Sequence, residues 1–495
     1  MNFSVIRKTL GALLVFEAIF FLVPAITAVC YGEWYELFIF LICIGICGGL
    51  GGLCVLPKVK NKNMYAKEGF VIVALSWIVM SLFGALPLLL TGTADSFIDA
   101  LFETVSGFTT TGASIFTGEQ IDGMAKSLLM WRSFTHWVGG MGVLVFVMAF
   151  LPLSGAQNMH MMKAESPGPV VSKLVPKVRQ TAFSLYAIYS VITVVEFIML
   201  LCGGMTVFEA LNTAFATAGT GGFSFTSNGM AYGPYIQIVV TVFMLLFSIN
   251  FTSYYLLLCG KPKEALTEEV RTFIVIVLTA ITAISLNVHF MGSFEGKGSF
   301  ADTLRQSAFY VASIVSTTGF GIEVDFSLWP QFSIGILVIL MFVGACAGST
   351  GGGMKLSRWM ILSKGGAHEV GRLLHPKQVK KIVMDGRMVE HEVVRSVNAY
   401  LVAFILVFCT SMLLISFDPL VQGDFTTQGD FTTVFTSVAS AMNNIGPGVG
   451  EVVGPMGNFA GFTDFSKVVY MFDMLAGRLE LFPMLLLFTP ATWRR

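Results

Sequence analysis

Asp99–Gly112 reads DALFETVSGFTTTG. The same outline returns as EALNTAFATAGTGG over Glu209–Gly222, QSAFYVASIVSTTG over Gln306–Gly319 and TVFTSVASAMNNIG over Thr433–Gly446. Small and apolar residues recur at matching offsets, and each string closes on a glycine-bearing turn. The apolar parts, 98–109, 207–218, 304–316 and 431–442, are about a dozen residues each, too short to cross a bilayer core of about 30 Å as helices. Backbone that is not helical at membrane depth survives only where protein buries it or a pore wets it. Four half-helices that each end in such a turn therefore predict a fourfold pseudo-symmetric pore. Glycine carries no Cβ and tolerates positive φ, so backbone carbonyls can surround a bare cation at these turns.

Composition places the turns in a membrane. The 495-residue chain is 55% hydrophobic and only 12% charged, with a mean hydropathy of +0.77. Many windows exceed the roughly 18 apolar residues that span a bilayer. The net charge of zero points to no acidic partner and no nucleic acid. Eight cysteines are scattered singly, with neither metal-type spacing nor a disulfide framework. Arg7-Lys8 precedes an apolar run without a small-residue cleavage site, which reads as a retained first helix.

Spanning segments are expected near residues 10–30, 36–56, 69–90, 128–152, 182–203, 234–258, 271–291, 331–347, 397–416 and 467–489. The fold class is an all-α integral membrane protein with ten transmembrane helices and four re-entrant pore half-helices. Its unit is outer helix, half-helix, turn, inner helix, repeated four times at roughly hundred-residue spacing. Two additional helices occupy 1–60. The repeats occupy 61–160, 161–262, 263–375 and 376–495, the third carrying an intramembrane gating loop. Basic residues cluster after each inner helix, as Lys163, Lys173, Lys177 and Arg179 do after the first and Lys355, Arg358 and Lys364 after the third. The positive-inside rule puts those ends, and with ten crossings both termini, in the cytoplasm. Acids such as Glu33, Asp95, Glu119, Asp122, Glu323, Asp424 and Glu451 fall on the other side, with the turns, where an acidic mouth raises local cation concentration.

The expected ion ligands are backbone carbonyls of Thr110, Thr111 and Gly112, of Thr220, Gly221 and Gly222, of Thr317, Thr318 and Gly319, and of Asn444, Ile445 and Gly446. Uncharged oxygens suit a monovalent ion better than a divalent one. The half-helices end at these turns, and a helix C-terminus favours a cation. Within the third inner segment, Gly344–Lys355 reads GACAGSTGGGMK. So many glycines are costly in a helix, at about 1 kcal/mol each against alanine. An unwound loop is expected there, obstructing the path below the turns through Gly348, Gly351, Gly352, Gly353 and Lys355; a kink or a close helix contact is the plainer reading. Arg478 stands mid-way along the last inner segment. A charge there faces either the pore, as a barrier or as a holder of the loop, or an ion-pair partner, Asp473 or Glu480. His136 reads more readily as a satisfied packing residue than as a proton carrier. Ser154 lacks the context of a nucleophile. The runs Gly48–Gly52 and Gly139–Gly142 allow close helix contacts without saying against what.

The fourfold repeat, RSFTHWVGGMG at Arg132–Gly142, the Gly348–Lys355 loop and GRLELFP at Gly477–Pro483 together resemble the Trk/Ktr/HKT superfamily of potassium transporters. The two leading helices are similar to its bacterial TrkH/TrkG branch. The resemblance implies K+ as the transported ion, no bound organic cofactor, and a bacterial inner-membrane location. It implies a homodimer with one pore per protomer, and a cytosolic, TrkA-like ring of regulator-of-conductance type that binds nucleotides and controls the gate. Potassium selectivity goes with glycine at all four turn positions, which Gly112, Gly222, Gly319 and Gly446 match. The fourth turn departs from the pattern by lacking the threonine pair.

Three functions follow as expectations. The first is potassium uptake through a selective, gated, channel-like pore. The second is a proton- or sodium-coupled symporter, which needs a buried relay, with His136 or Glu196 as candidates. The third, an intramembrane enzyme, lacks a paired nucleophile and base.

Overall fold

The computed structural model describes residues 1–58, 66–142, 178–291, 298–322, 324–375, 381–422 and 430–493. Lys163, Lys173, Lys177, Glu323, Asp424 and Ser154 lie outside these residues. Among the described residues the regular structure is helical except for one short antiparallel hairpin, Val383–Met384 against Arg387–Met388.

The half-helices are Phe97–Phe108, Val207–Gly219, Phe300–Val315 and Phe431–Asn443, numbered here 1 to 4. At 12, 13, 16 and 13 residues none reaches across a bilayer. Each starts on a capping side chain that accepts an otherwise unpaired amide: Ser96, Thr206, Ser299 and Asp430. Thr206 with Glu209 and Ser299 with Asp302 form full capping boxes. The second box explains why half-helix 3 begins at Phe300 and not near residue 304, since apolar patterning alone does not see the cap.

The outer helices are Ala66–Gly84, extended by Leu86–Leu90, then Val178–Cys202, Glu268–Met291 and His391–Ile415. Together with Phe3–Tyr31, which is broken at Phe21, and Trp34–Val55, they make six helices long and apolar enough to cross a membrane among the described residues. A seventh appears if the bent pair Pro234–Phe247 and Phe251–Leu258 is one span. Inner segments 2 to 4 fall short of an unbroken span because they are interrupted. Inner helix 1, Lys126–Gly140, runs to the edge of the described residues. Inner helix 2 turns by 90° at Ser248–Asn250. Inner helix 3, Gln331–Val343, stops at Gly344, and the chain resumes as a helix at Leu356–Leu374. Inner helix 4, Asp464–Arg478, breaks at Glu480 and Leu481, both at positive φ, before Phe482–Phe488.

Burial is organised around the turns. Residues Thr109–Thr111, Thr220, Ser316–Thr318 and Asn443–Asn444 are fully buried. The outer helices expose Val275, Leu278, Val402, Leu406 and Leu413 outward, a surface that suits acyl chains and not water. The chain is a multi-pass membrane protein. The glycine runs find their partners here. Gly51 packs on Gly11 and Val15 of the first helix, Gly139 on the Phe108 carbonyl, and Gly140 against Gly219. Inner helix 1 is thereby wedged between the ends of half-helices 1 and 2.

Candidate functional site

All four turns share one backbone. The residue two before each turn glycine takes a left-handed conformation: Thr110 (φ 55°), Thr220 (54°), Thr317 (59°) and Asn444 (55°). The next amide folds back onto a helix carbonyl: Thr111 to Ser106 and Gly221 to Ala216, both 2.9 Å, Thr318 to Ser313, 2.9 Å, and Ile445 to Ser440, 3.0 Å. The residue after that is the glycine, again at positive φ: Gly112 (80°), Gly222 (74°), Gly319 (80°) and Gly446 (106°). Asparagine takes the left-handed region readily, whereas threonine is β-branched and does so only under constraint. Strain of this kind, about 1–3 kcal/mol per residue, clusters at functional sites. The fourth turn lacks the threonine pair yet follows the same path. Its Asn444 side chain donates through Nδ2 to Thr111 Oγ1 at 3.0 Å and to the Met474 carbonyl at 2.8 Å.

The turns meet one another in sequence order. A Cβ placed on Gly112 would strike the Gly221 carbonyl oxygen, one on Gly222 that of Thr318, and one on Gly319 that of Ile445. A Cβ on Gly446 would lie 2.7 Å from the Thr111 carbonyl oxygen. Turn 1 abuts turn 2, turn 2 abuts turn 3, turn 3 abuts turn 4, and turn 4 returns to turn 1. The ring is closed, and the residue before each glycine contributes a carbonyl to it. Above it opens a cavity of about 100 Å³, lined by the four glycines with Ala113, Phe223, Phe320 and Pro447 among others.

Buried polar groups hold the turns from behind. Glu103 pairs with Arg132 at 2.7 Å. It also accepts from Ser114 Oγ (3.0 Å) and from the Ile115 amide (3.0 Å). Arg132 reaches over to the Ser224 carbonyl at 3.2 Å, tying turn 1 to turn 2. Tyr310 braces turn 3 against its own half-helix: its hydroxyl donates to the Val324 carbonyl at 2.5 Å and accepts from the Ile322 amide at 3.3 Å. Glu103 and Tyr310 were not among the expected site residues. The signal was present, since both lie nine residues before their glycine, where the other copies carry Thr213 and Ser437. His136 is engaged at both ring nitrogens, with Nδ1 2.8 Å from the Gly107 carbonyl and Nε2 accepting the Phe223 amide at 3.3 Å. That arrangement requires a neutral ring with the proton on Nδ1, bridging half-helix 1 to turn 2.

The segment Gly344–Lys355 is not helical and lies against the ends of half-helices 3 and 4. The Gly352 amide donates to Thr317 Oγ1 at 2.6 Å, and Gly352 also abuts the Asn443 carbonyl. Gly351 packs by the Ser316 carbonyl. The break in inner helix 2 supports the other side, with the Phe251 amide on the Gly348 carbonyl (3.0 Å) and the Cys346 amide on the Ser248 carbonyl (3.1 Å). Lys355 Nζ donates to the Gly351 carbonyl at 2.6 Å. Arg478 stands at the end of inner helix 4, where the helix breaks, and not mid-way along an unbroken one. Its guanidinium donates to the Thr350 carbonyl (2.9 Å) and to those of Gly139 (2.5 Å) and Gly140 (2.7 Å). The acids that sequence spacing offered it are engaged elsewhere: Glu480 pairs with Arg358, and Asp473 accepts from Ser411 Oγ at 2.7 Å. Glu196 is buried on outer helix 2 beside Thr217. Among the described residues, no group of three or more His, Cys, Asp or Glu side chains is placed to hold a metal ion.

A closed ring of four backbone turns, each at the end of a buried half-helix within a shell of apolar helices, belongs to the class of polytopic membrane proteins that handle ions. The chain is a member of the TrkH family of cation transport proteins, whose sequence model matches residues 38–495. It is 34% identical over 505 residues to the Trk system potassium uptake protein TrkH of Salmonella typhimurium, covering all of both chains. It is 31% identical over 504 residues to TrkG of Escherichia coli, covering 99% of this chain and 98% of that one. The crystal structure of the potassium transporter TrkH from Vibrio parahaemolyticus superposes with a TM-score of 0.85 at 33% identity, covering both chains completely. The family is one of transporters, so the chain is not an enzyme.

Proposed function

We propose that this protein takes up potassium across the bacterial inner membrane through a selective, gated, channel-like pore. The closed ring of glycine–carbonyl contacts among the four turns carries the reading. In it the carbonyls of Thr110, Thr111 and Gly112 and their counterparts at 220–222, 317–319 and 444–446 replace the hydration shell of a dehydrated K+. The negative ends of the four half-helix dipoles favour the cation at the same place. The clamps at Glu103–Arg132, Tyr310 and His136 keep the ring from collapsing on a smaller ion.

The Gly348–Gly353 loop with Lys355 then forms the barrier below the ring, and Arg478 holds it there. The ten-crossing topology, cytoplasmic termini, homodimer and cytosolic nucleotide-binding ring belong to this reading, supported by the relatives' names as parts of a Trk system and by basic residues at the inner-helix ends. Coupled symport with protons or sodium is the competing function. It draws no support from His136, whose two ring nitrogens are committed to backbone groups.

Flux in proteoliposomes under an imposed potassium gradient, with and without a pH gradient, tests the proposal. Channel-like uptake follows the potassium gradient alone. Flux driven by the pH gradient at zero potassium gradient would establish coupling instead.

A further inference from the structure

The Gly-rich loop leaves inner helix 3 and returns to the next helix through a narrow neck. A Cβ on Gly344 would lie 3.1 Å from the Gly352 carbonyl oxygen and 3.0 Å from that of Met354, and the Leu356 amide donates to the Ala345 carbonyl at 3.1 Å. Compact loops whose ends meet are held by whatever bridges those ends. Here one atom does so from outside the pore. Oε1 of Glu269, near the start of outer helix 3, accepts the Ala347 amide at 2.8 Å on the way in and the Ser357 amide at 3.0 Å on the way out.

Glu269 is itself buried and fixed by its neighbour. Glu268 pairs with Lys364 at 2.5 Å, and its amide donates to Asp385 Oδ1 of the hairpin turn at 2.6 Å. The start of outer helix 3 is thus pinned before Glu269 reaches the loop. Cys346, next to the stapled Ala347, is fully buried.

We propose that Glu269 is a positioning residue for permeation: its carboxylate staples the two ends of the Gly-rich loop and keeps the loop under the ring. The proposal rests on the reading of that loop as the barrier. Arg478 restrains the loop from the pore side, and Glu269 restrains it from the outer-helix side. Displacement of the loop breaks both amide contacts at Glu269 and uncovers the Cys346 thiol.

The test uses full-length protein in which Cys346 is the only cysteine, reconstituted in liposomes, with Glu269→Ala, Glu269→Asp and Glu269→Gln. Labelling of Cys346 by a small methanethiosulfonate and basal potassium flux are both measured. Glutamine keeps one oxygen in place to accept both amides but removes the charge, so Glu269→Gln rises less than Glu269→Ala. Glu269→Ala loses both contacts and raises labelling and flux on the order of tenfold, since one hydrogen bond to a charged group suffices for such a factor. Glu269→Asp draws the oxygen back by one methylene and moves in the same direction, which keeps the test decisive if the alanine variant fails to fold. Parent-like labelling in Ala and Asp variants overturns the staple, as does an equal rise in Glu269→Gln. A deletion within Gly348–Gly353 runs alongside. If the deletion raises flux while the Glu269 variants change nothing, the staple fails and the barrier reading stands. If the deletion leaves flux unchanged, the barrier reading fails, and Cys346 labelling alone decides whether Glu269 holds the loop.

Discussion

Replacing Arg478 by alanine should open the path without unfolding the protein. The guanidinium reaches two other elements through three backbone carbonyls: Thr350 in the loop, and Gly139 and Gly140 at the end of inner helix 1. The Thr350 contact joins it directly to the loop. A hydrogen bond with one charged partner contributes about 1.5–3 kcal/mol. Its loss therefore shifts the balance between seated and displaced loop by roughly ten- to a hundredfold, at about 1.4 kcal/mol per tenfold. Removal of a permanent positive charge next to the path acts in the same direction, because the guanidinium does not deprotonate. The stability cost falls on the three carbonyls that lose their donor and not on a buried acid. Glu480 keeps Arg358 and Asp473 keeps Ser411, so neither acid is stranded. Arg478→Lys keeps the charge but replaces a planar fork by a point donor unable to span Thr350 and Gly139 together, and should fall between wild type and alanine. Basal potassium flux in proteoliposomes is the assay, with thermal unfolding of the same preparations beside it. A folded Arg478→Ala protein with wild-type flux would refute the role given to this side chain, and so would loss of folding with no gain of flux.

Gly112→Ser and Gly319→Ser each place a side chain at positive φ against a neighbouring carbonyl, that of Gly221 or of Ile445, and should lower potassium-over-sodium discrimination by about tenfold as the ring is pushed apart; unchanged selectivity in both would remove these turns from the ion path. Shortening Gly348–Gly353 should raise basal flux at least as much as Arg478→Ala does, and a folded deletion variant without that rise would show the barrier to lie elsewhere. Asp122, on the segment after turn 1, is held below the usual carboxylate range by the Ser227 hydroxyl and by the Ser227 amide at 2.9 Å. A depressed carboxyl contributes stability above its unfolded value of about 3.9 and loses it as pH falls through the folded value. Asp122→Asn should thus be slightly less stable than wild type at pH 7, and the difference should close only as the pH falls below the depressed folded value. A thermal-shift difference that persists at the acid end would mean that the contact does not depend on ionisation.

The membrane class, the four short half-helices and the places of their turns were legible in the chain, because each is written in local terms. Apolar run length sets what can span, and a glycine after a dozen apolar residues marks a turn that needs positive φ. The RSFTHW and GRLE motifs announced the family, which the full-length relatives bear out. Capping boxes were less visible, and half-helix 3 consequently begins earlier than its hydropathy suggests. What no local pattern could decide is which turn touches which. The contact of Gly446 with Thr111 joins residues from opposite ends of the chain, and only the packed helices bring them together. The same holds for charged side chains. Spacing along one helix offered Asp473 and Glu480 to Arg478. The break at Glu480–Leu481, with both residues at positive φ, accompanies a different outcome: Glu480 pairs with Arg358, and Arg478 reaches three carbonyls on other segments. Sequence determined that these charges had to find partners inside the membrane, since an unpaired one is too costly there. The tertiary structure alone decided which partners, because a buried charge is satisfied by whichever groups the surrounding helices bring within hydrogen-bonding distance.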